Sequence, residues 1–241
     1  MELKEKELFE YIKCPLRYQF IKNNVDLGSD RTFKKLAYSA INHFYAARTN
    51  GMKADANTLK RKWDTLCQNN SDILNPKKTL DGWGLLYRTY EYIVNNDIKF
   101  MDINVPYSIE IPGTKIQITG QLDPIIDKGD HIELFITSFD KTMPDRLDMD
   151  TRLKHTIDAY AIKKMFNKDV VINYYVPAQG KCVQTLRSSN DFHRLESIIE
   201  NVGKAVCSNI IYPRETFLCS SCLARDLCKA WTGNYGGEKD A

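Results

Sequence analysis

Apolar and polar residues follow three successive textures along the chain. Residues 3–22 (LKEKELFEYIKCPLRYQFIK) repeat at helical spacing, with Leu8, Tyr11 and Ile12 on one face, until Cys14-Pro15 interrupts the run. The same period predicts helices over 31–49 and 55–68, separated by the Asn50-Gly51 turn signal. A third helix is predicted over 82–97, with Leu86, Tyr90 and Ile93 on one side. Segments 103–111, 115–127 and 131–139 are β-rich, with breaks at Pro112-Gly113 and Gly129-Asp130, which predicts an antiparallel meander. After the polar stretch Asp140–Asp150, a helix is predicted over 151–166 and a strand over 169–177 paired with 181–187. A last long helix covers 190–207. The fold class expected is α/β: a mixed sheet core flanked by helices, with a helical insertion at its front.

Composition narrows the class. At 241 residues, 43% hydrophobic and 27% charged, the chain is long enough to bury a core. No apolar run approaches the ~18 residues needed to cross a bilayer. The N-terminus is charged and amphipathic with no apolar signal core, so an intracellular protein is expected, in the host cytoplasm if the source is viral. A net charge of +3 does not by itself demand a polyanionic partner, and runs such as Lys60-Arg61-Lys62 and Lys163-Lys164 read first as solvated faces. Seven cysteines without a secretion signal argue against a disulfide framework and for metal binding or plain burial.

Three of those cysteines fall in CSSCLARDLC, giving Cys219, Cys222 and Cys228 the spacing C-x2-C-x5-C. Tetrahedral zinc and an iron–sulfur cluster each need four ligands, so one is missing locally. No histidine follows His193, and Cys207 sits inside the apolar pattern of the last long helix. Cys67 and Cys182 lack metal-like neighbours. Cys14, in KCPLRYQF, stands at a helix end where Pro15 frees the backbone. Zinc, an iron–sulfur cluster and free thiols remain open on these grounds alone.

A lone cysteine in CPLRYQF answered by C-x2-C-x5-C after YPRETFLC resembles the four-cysteine staple of RecB-like PD-(D/E)XK nucleases, the group that includes CRISPR-associated exonucleases and the AddB nuclease domain. The resemblance covers nearly the whole chain. It implies a [4Fe–4S] cluster on Cys14, Cys219, Cys222 and Cys228 that ties the two chain ends together. It also implies a single nuclease-like domain over 1–241. Within it, 1–30 would carry the first cysteine, 31–100 a helical insertion, 101–207 the sheet core, 208–232 the cysteine cluster and 233–241 a flexible tail.

In that superfamily carboxylates hold a divalent metal at the scissile phosphate and a lysine orients the attacking water. GQLD, residues 120–123, matches the motif for the first carboxylate and makes it Asp123. On the next strand, ELFITSFDK, Thr137 stands where the family has its second acid and Phe139 where it has its lysine. Asp140 and Lys141 follow directly, and as neighbours on a strand they point to opposite faces unless a bulge re-aims one. The family's metal-binding histidine corresponds to Ile41, with His43 two residues late, and its QxxxY pair to Thr156 and Tyr160. Asp123 and Tyr160 are therefore the expected remnants of a degenerate site.

The function expected is a catalytically degenerate nuclease-like iron–sulfur protein. It would bind single strands or ends of DNA, or serve a replication, recombination or transcription complex. Phosphate contacts are expected from Lys141, Arg146, Arg152 and Lys154, with Tyr160 or Phe139 as stacking surfaces. The alternative is an active Mg²⁺- or Mn²⁺-dependent DNA exonuclease in which Asp123 and Asp140 hold the metal beside Lys141. A scaffold subunit without nucleic-acid contact is the third possibility.

Overall fold

The structure, a computed structural model, describes residues 1–23, 32–72, 74–228 and 230. The expected flexible tail, 233–241, lies outside the described residues, as do residues 24–30 of the N-terminal segment. In chain order the elements begin with β1 (Glu2–Lys4), α1 (Glu5–Lys13), α2 (Pro15–Lys22), α3 (Phe33–Thr49), α4 (Ala56–Gln68) and α5 (Pro76–Asn95). Four strands follow: β2 (Pro106–Glu110), β3 (Gln117–Gln121), β4 (Ile125–Asp127) and β5 (His131–Thr137). The remainder is α6 (Arg146–Thr151), α7 (Leu153–Phe166), β6 (Asp169–Val176), β7 (Lys181–Leu186) and α8 (Ser189–Cys207), with two 3-10 turns at Phe217–Ser221 and Arg225–Leu227.

Local chemistry sets the helix boundaries. Thr32 and Asp55 accept hydrogen bonds from the third amides of α3 and α4, at Lys35 and Thr58. Asn75 caps α5 in the same way and Pro76 opens it, so this helix starts well before its apolar stripe begins. The intervening residues 77–81 are largely exposed and carry no apolar period, which is why the pattern alone places the start at 82. The short α6, capped by Asp145, falls inside the stretch read as polar.

The chain divides into two compact units. One comprises residues 1–30, 108–120 and 196–241; the other comprises 31–107 and 121–195. In the first unit β1 pairs parallel with β3, Leu3 opposite Ile118, and the sheet order is β1-β3-β2. Buried there are Leu3, Leu8, Tyr11, Tyr18, Ile109, Ile116 and Ile118. The approach of α8 to this sheet is close: a Cβ on Gly203 would come within 2.3 Å of Ile116 Cδ1.

The second unit holds the sheet β4-β5-β6-β7. β5 and β6 run parallel, with Thr137 opposite Tyr175, and α7 supplies the crossover that a parallel pair requires. β4 and β7 close the sheet antiparallel on either side. Phe44, Tyr45, Trp63, Leu86, Phe135 and Tyr175 form one hydrophobic core between α3–α5 and this sheet.

The α/β class and the helical front are as expected, but the single meander is not. Its first two strands belong to one sheet and its last to another, because the chain breaks at Leu122-Asp123-Pro124 and β3 pairs with β1, whose Lys4 lies opposite Thr119. Among the described residues no helix is long and apolar enough to cross a membrane.

Candidate functional site

Within the first unit the two chain ends meet through hydrogen bonds. Tyr11 Oη donates to the Ile210 carbonyl at 2.7 Å, and Leu16 N donates to the Tyr212 carbonyl at 3.1 Å. Arg214 Nη1 donates to the Ile12 carbonyl at 2.5 Å, and its backbone N–H points at Cys14 Sγ, 3.4 Å away. The two 3-10 turns then present Cys219, Cys222 and Cys228, and Thr216 N lies 3.4 Å from Cys219 Sγ.

Cys14, Cys219, Cys222 and Cys228 all line one cavity of about 40 Å³, with Arg17, Arg214 and Arg225 around it. Backbone N–H groups are thus aimed at two of the four sulfurs, and guanidinium groups lie nearby. No three described His, Cys, Asp or Glu residues stand close enough together to hold a single metal ion. A lone zinc needs its four sulfurs within about 4 Å of one another; a multinuclear cluster accepts thiolates set farther apart. The remaining cysteines stand elsewhere: Cys207 is exposed beside Met1, while Cys67 and Cys182 are half-buried in the second unit, where burial pushes both thiols up.

The second unit brings the carboxylates together. Phe135 N donates to the Pro124 carbonyl at 2.8 Å, which places Asp123 beside the C-terminal end of β5. Lys154, in the first turn of α7, holds Asp158 one turn further on at 2.6 Å, and its Nζ is 4.0 Å from Asp123 Oδ2. Asp158 is wholly buried. Protein surrounds the Asp123 carboxylate although 43% of its side chain is accessible. That desolvation raises its pKa, and Lys154 opposes the rise.

The two positions at which the resemblance would call for an acid and a lysine are packed. Thr137 is buried and its Oγ1 shares a hydrogen bond with Tyr45 Oη at 2.7 Å. Desolvation raises the Tyr45 pKa, so the pair is neutral. Phe139 is buried with its ring edge-on to Tyr38 at 5.0 Å. Burial, aided by Tyr174, Asp123 and Asp140, pushes the Tyr38 hydroxyl up to about 12. Asp140 is bound by Lys34 Nζ and accepts a 2.7 Å hydrogen bond from Ser138 Oγ, which hold its carboxyl below the usual range despite partial burial.

The expected phosphate contacts divide. Lys141 is exposed. Arg146 is tied to Asp150 at 2.8 Å and to the Gln184 carbonyl at 2.9 Å, and Arg152 clasps Asp148 and reaches Tyr174 Oη at 2.9 Å. Lys154 is bound within the acidic pair. Tyr160 is buried and meets Phe192 edge-on at 5.4 Å, on the helix face that also carries Thr156. Two residues from Asp158 along the helix, it projects to a different side from the Lys154–Asp158 pair. His43 is exposed and Ile41 is buried in the core.

Asp158 and Tyr45 were not singled out from the sequence. For Asp158 the signal was present: a carboxylate inside the apolar run TIDAYAI, four residues after a lysine.

No protein-family model and no curated protein matches the chain. Its structure is similar to the crystal structure of a “Putative exonuclease” from Eubacterium rectale, with a TM-score of 0.59 and 12% identity over 100% of this chain and 90% of that one. A second solved structure, that of SSO0001, aligns with a TM-score of 0.42 and 14% identity over 95% and 86% of the respective chains. At such identity the first likeness shows a shared fold across the full chain.

Proposed function

We propose that this protein is a catalytically degenerate member of the nuclease-like fold that binds DNA, at single strands or ends, rather than cutting it. The observation that carries the reading is Lys154, whose ammonium contacts Asp158 at 2.6 Å and faces Asp123 at 4.0 Å. That ammonium already lies against the carboxylates that a divalent ion would need. Mg²⁺ demands several oxygen ligands in near-octahedral geometry, and neither Thr137, bonded to Tyr45, nor Phe139 supplies one. The likeness in fold to the exonuclease, and exposed cations such as Lys141, support nucleic acid as the partner.

Cys14, Cys219, Cys222 and Cys228 would hold a [4Fe–4S] cluster. The donor set is four cysteines around one cavity with inward-pointing N–H groups, and the role is structural: a clamp between α1–α2 and residues 212–228. It is remote in sequence from Asp123 and takes no part in phosphate chemistry.

The test is cleavage of end-labelled single-stranded and duplex DNA by anaerobically purified protein, with Mg²⁺ and with Mn²⁺, beside Asp123→Ala. The expected result is no cleavage by either protein and binding that weakens steeply with salt. Metal-dependent cleavage lost in Asp123→Ala overturns the degenerate reading. Binding without salt dependence, or no binding, overturns the DNA-binding one and leaves a scaffold.

A further inference from the structure

The surface of α5 carries a row of large side chains that the core leaves wholly or partly exposed, two of them, Trp83 and Tyr90, also packing against it. Leu80 is 71% exposed, Tyr87 39% and Val94 41%, with the half-buried Trp83 and Tyr90 between them. These positions recur every three or four residues, so they form one continuous stripe on the helix. Along it Trp83 and Tyr87 have ring centroids 5.7 Å apart, and Tyr87 and Tyr90 are stacked at 5.9 Å. The Lys60 ammonium lies over the Trp83 ring at 5.5 Å. At the N-terminal end of the stripe an open groove of about 660 Å³ runs between α4 and α5, lined by Lys60, Trp63, Ser71, Asn75, Leu80 and Trp83 among others.

We propose that this aromatic stripe, with the groove at its end, is a stacking platform for single-stranded nucleic acid; the proposal rests on the DNA-binding reading above and assigns it a place on the helical insertion. Three features favour that occupant. Tyrosine and tryptophan faces accept any base by stacking, which is how strand binders without sequence preference work. Residues 60–88 contain six Lys or Arg against three Asp, an excess equal to the net charge of the entire chain, so the platform is set in a cationic stretch. The stripe from Leu80 to Val94 extends about 21 Å, enough for about six stacked nucleotides.

A helix of a second protein is the competing occupant, because the spacing also suits a coiled-coil seam. The composition argues against it. The centre of the stripe is Trp83, Tyr87 and Tyr90 instead of branched aliphatics. Of the flanking positions only Glu91 is charged; Thr79 and Gly84 are uncharged, and Leu86 and Ile93 are buried in the core, so the paired charges of a seam are missing.

The experiment uses the full chain with a short fluorescent oligothymidylate and, in parallel, a 5-iodouracil-substituted strand for photo-crosslinking. Trp83→Ala and Tyr87→Ala are each expected to weaken binding about five- to a hundredfold. The melting temperature should stay the same in Tyr87→Ala, whereas Trp83→Ala, which also removes packing against the core, should lower it. In both the slope of affinity against salt should be unchanged, because stacking rather than phosphate contact is removed. Trp83→Phe and Tyr87→Phe should recover most of the loss, and crosslinks should map to residues 60–94. Unchanged affinity in the alanine variants, or crosslinks mapping only elsewhere, overturns the platform while leaving the DNA-binding reading intact. A dimer that these variants dissociate without loss of DNA binding overturns it in favour of a helix seam. If the wild-type chain binds no nucleic acid, both readings fall together.

Discussion

The cysteine pocket of the first unit and the carboxylate cluster of the second make an instructive pair. In the first, four side chains of one chemical type are drawn from both ends of the chain to a single cavity, and backbone donors point at the sulfurs. In the second, the two positions that the resemblance would give to an acid and a lysine, and the buried acid beside Asp123, are taken up by internal partners. Thr137 is bonded to Tyr45, Phe139 packs on Tyr38, and Asp158 is closed by Lys154. A site kept open for a ligand leaves its donors converging on space; a site absorbed into the core has them satisfied from within. On the proposed reading, the contrast puts the retained chemistry in the cysteine pocket and the lost chemistry beside Asp123.

The largest effect that can break this comparison lies at the clamp. Cys14→Ser should abolish visible absorbance of anaerobically purified protein and destabilise it by about 5 kcal/mol, the loop-closure value for a link spanning about two hundred residues. Cys207→Ser, outside the pocket, should change neither. Equal stability in chemical denaturation for both variants would remove the clamp from the account.

Next comes restoration of the missing motif. Thr137→Asp combined with Phe139→Lys puts back the acid and the lysine, yet both positions are buried. The double variant should lose about 3–5 kcal/mol, as new charges go where no space or solvent awaits them. It should gain no cleavage. A stable, cutting variant would show that the cleft had stayed open.

A smaller effect follows from His155, buried on α7 with Nδ1 unpartnered. Burial, with Arg152, Arg187 and Lys154 nearby, lowers its pKa from 6.5 to about 3, against a weaker pull from Asp148. Between those values the unfolded chain takes up a proton that the folded chain refuses. Stability should therefore fall as pH drops through this window, by up to about 1.4 kcal/mol per pH unit. His155→Leu should flatten that slope in denaturant titrations at successive pH values; an unchanged slope would show the ring to be solvated.

The two glycines of α5 repeat the contrast at the smallest scale. A Cβ on Gly82 would lie 2.4 Å from Trp63 Cζ2, while one on Gly84 would meet nothing within 4 Å. Gly82→Ala should cost about 1–3 kcal/mol, and Gly84→Ala should stabilise by about 0.5–1 kcal/mol, as read by thermal melts.

The helices α3 to α5 and the β6–β7 hairpin were legible because their order is carried by local periodicity, although the Asn75-Pro76 cap that opens α5 earlier went unread. The partition into two sheets was not, because it depends on pairing Leu3 with Ile118, and three strand residues followed at once by a helical pattern leave no local trace. GQLD pointed to Asp123, the spacing to Cys219, Cys222 and Cys228, and the resemblance to Cys14; the structure lines one cavity with those four cysteines. The fate of Lys154 could not: in sequence it is one more cation at a helix start, and only the fold reveals that its charge is spent between Asp158 and Asp123. Tyr160 could be read as a motif residue, but its direction depends on Phe192, which comes from a helix far along the chain.

The claim that an internal lysine has taken the place of a metal is tested most directly by titrating Mn²⁺ into the protein and recording its paramagnetic resonance signal, beside Asp123→Asn and Lys154→Gln. The account predicts no stoichiometric Mn²⁺ binding by the wild-type chain at submillimolar concentration. Stoichiometric binding by the wild type that disappears in Asp123→Asn would contradict it.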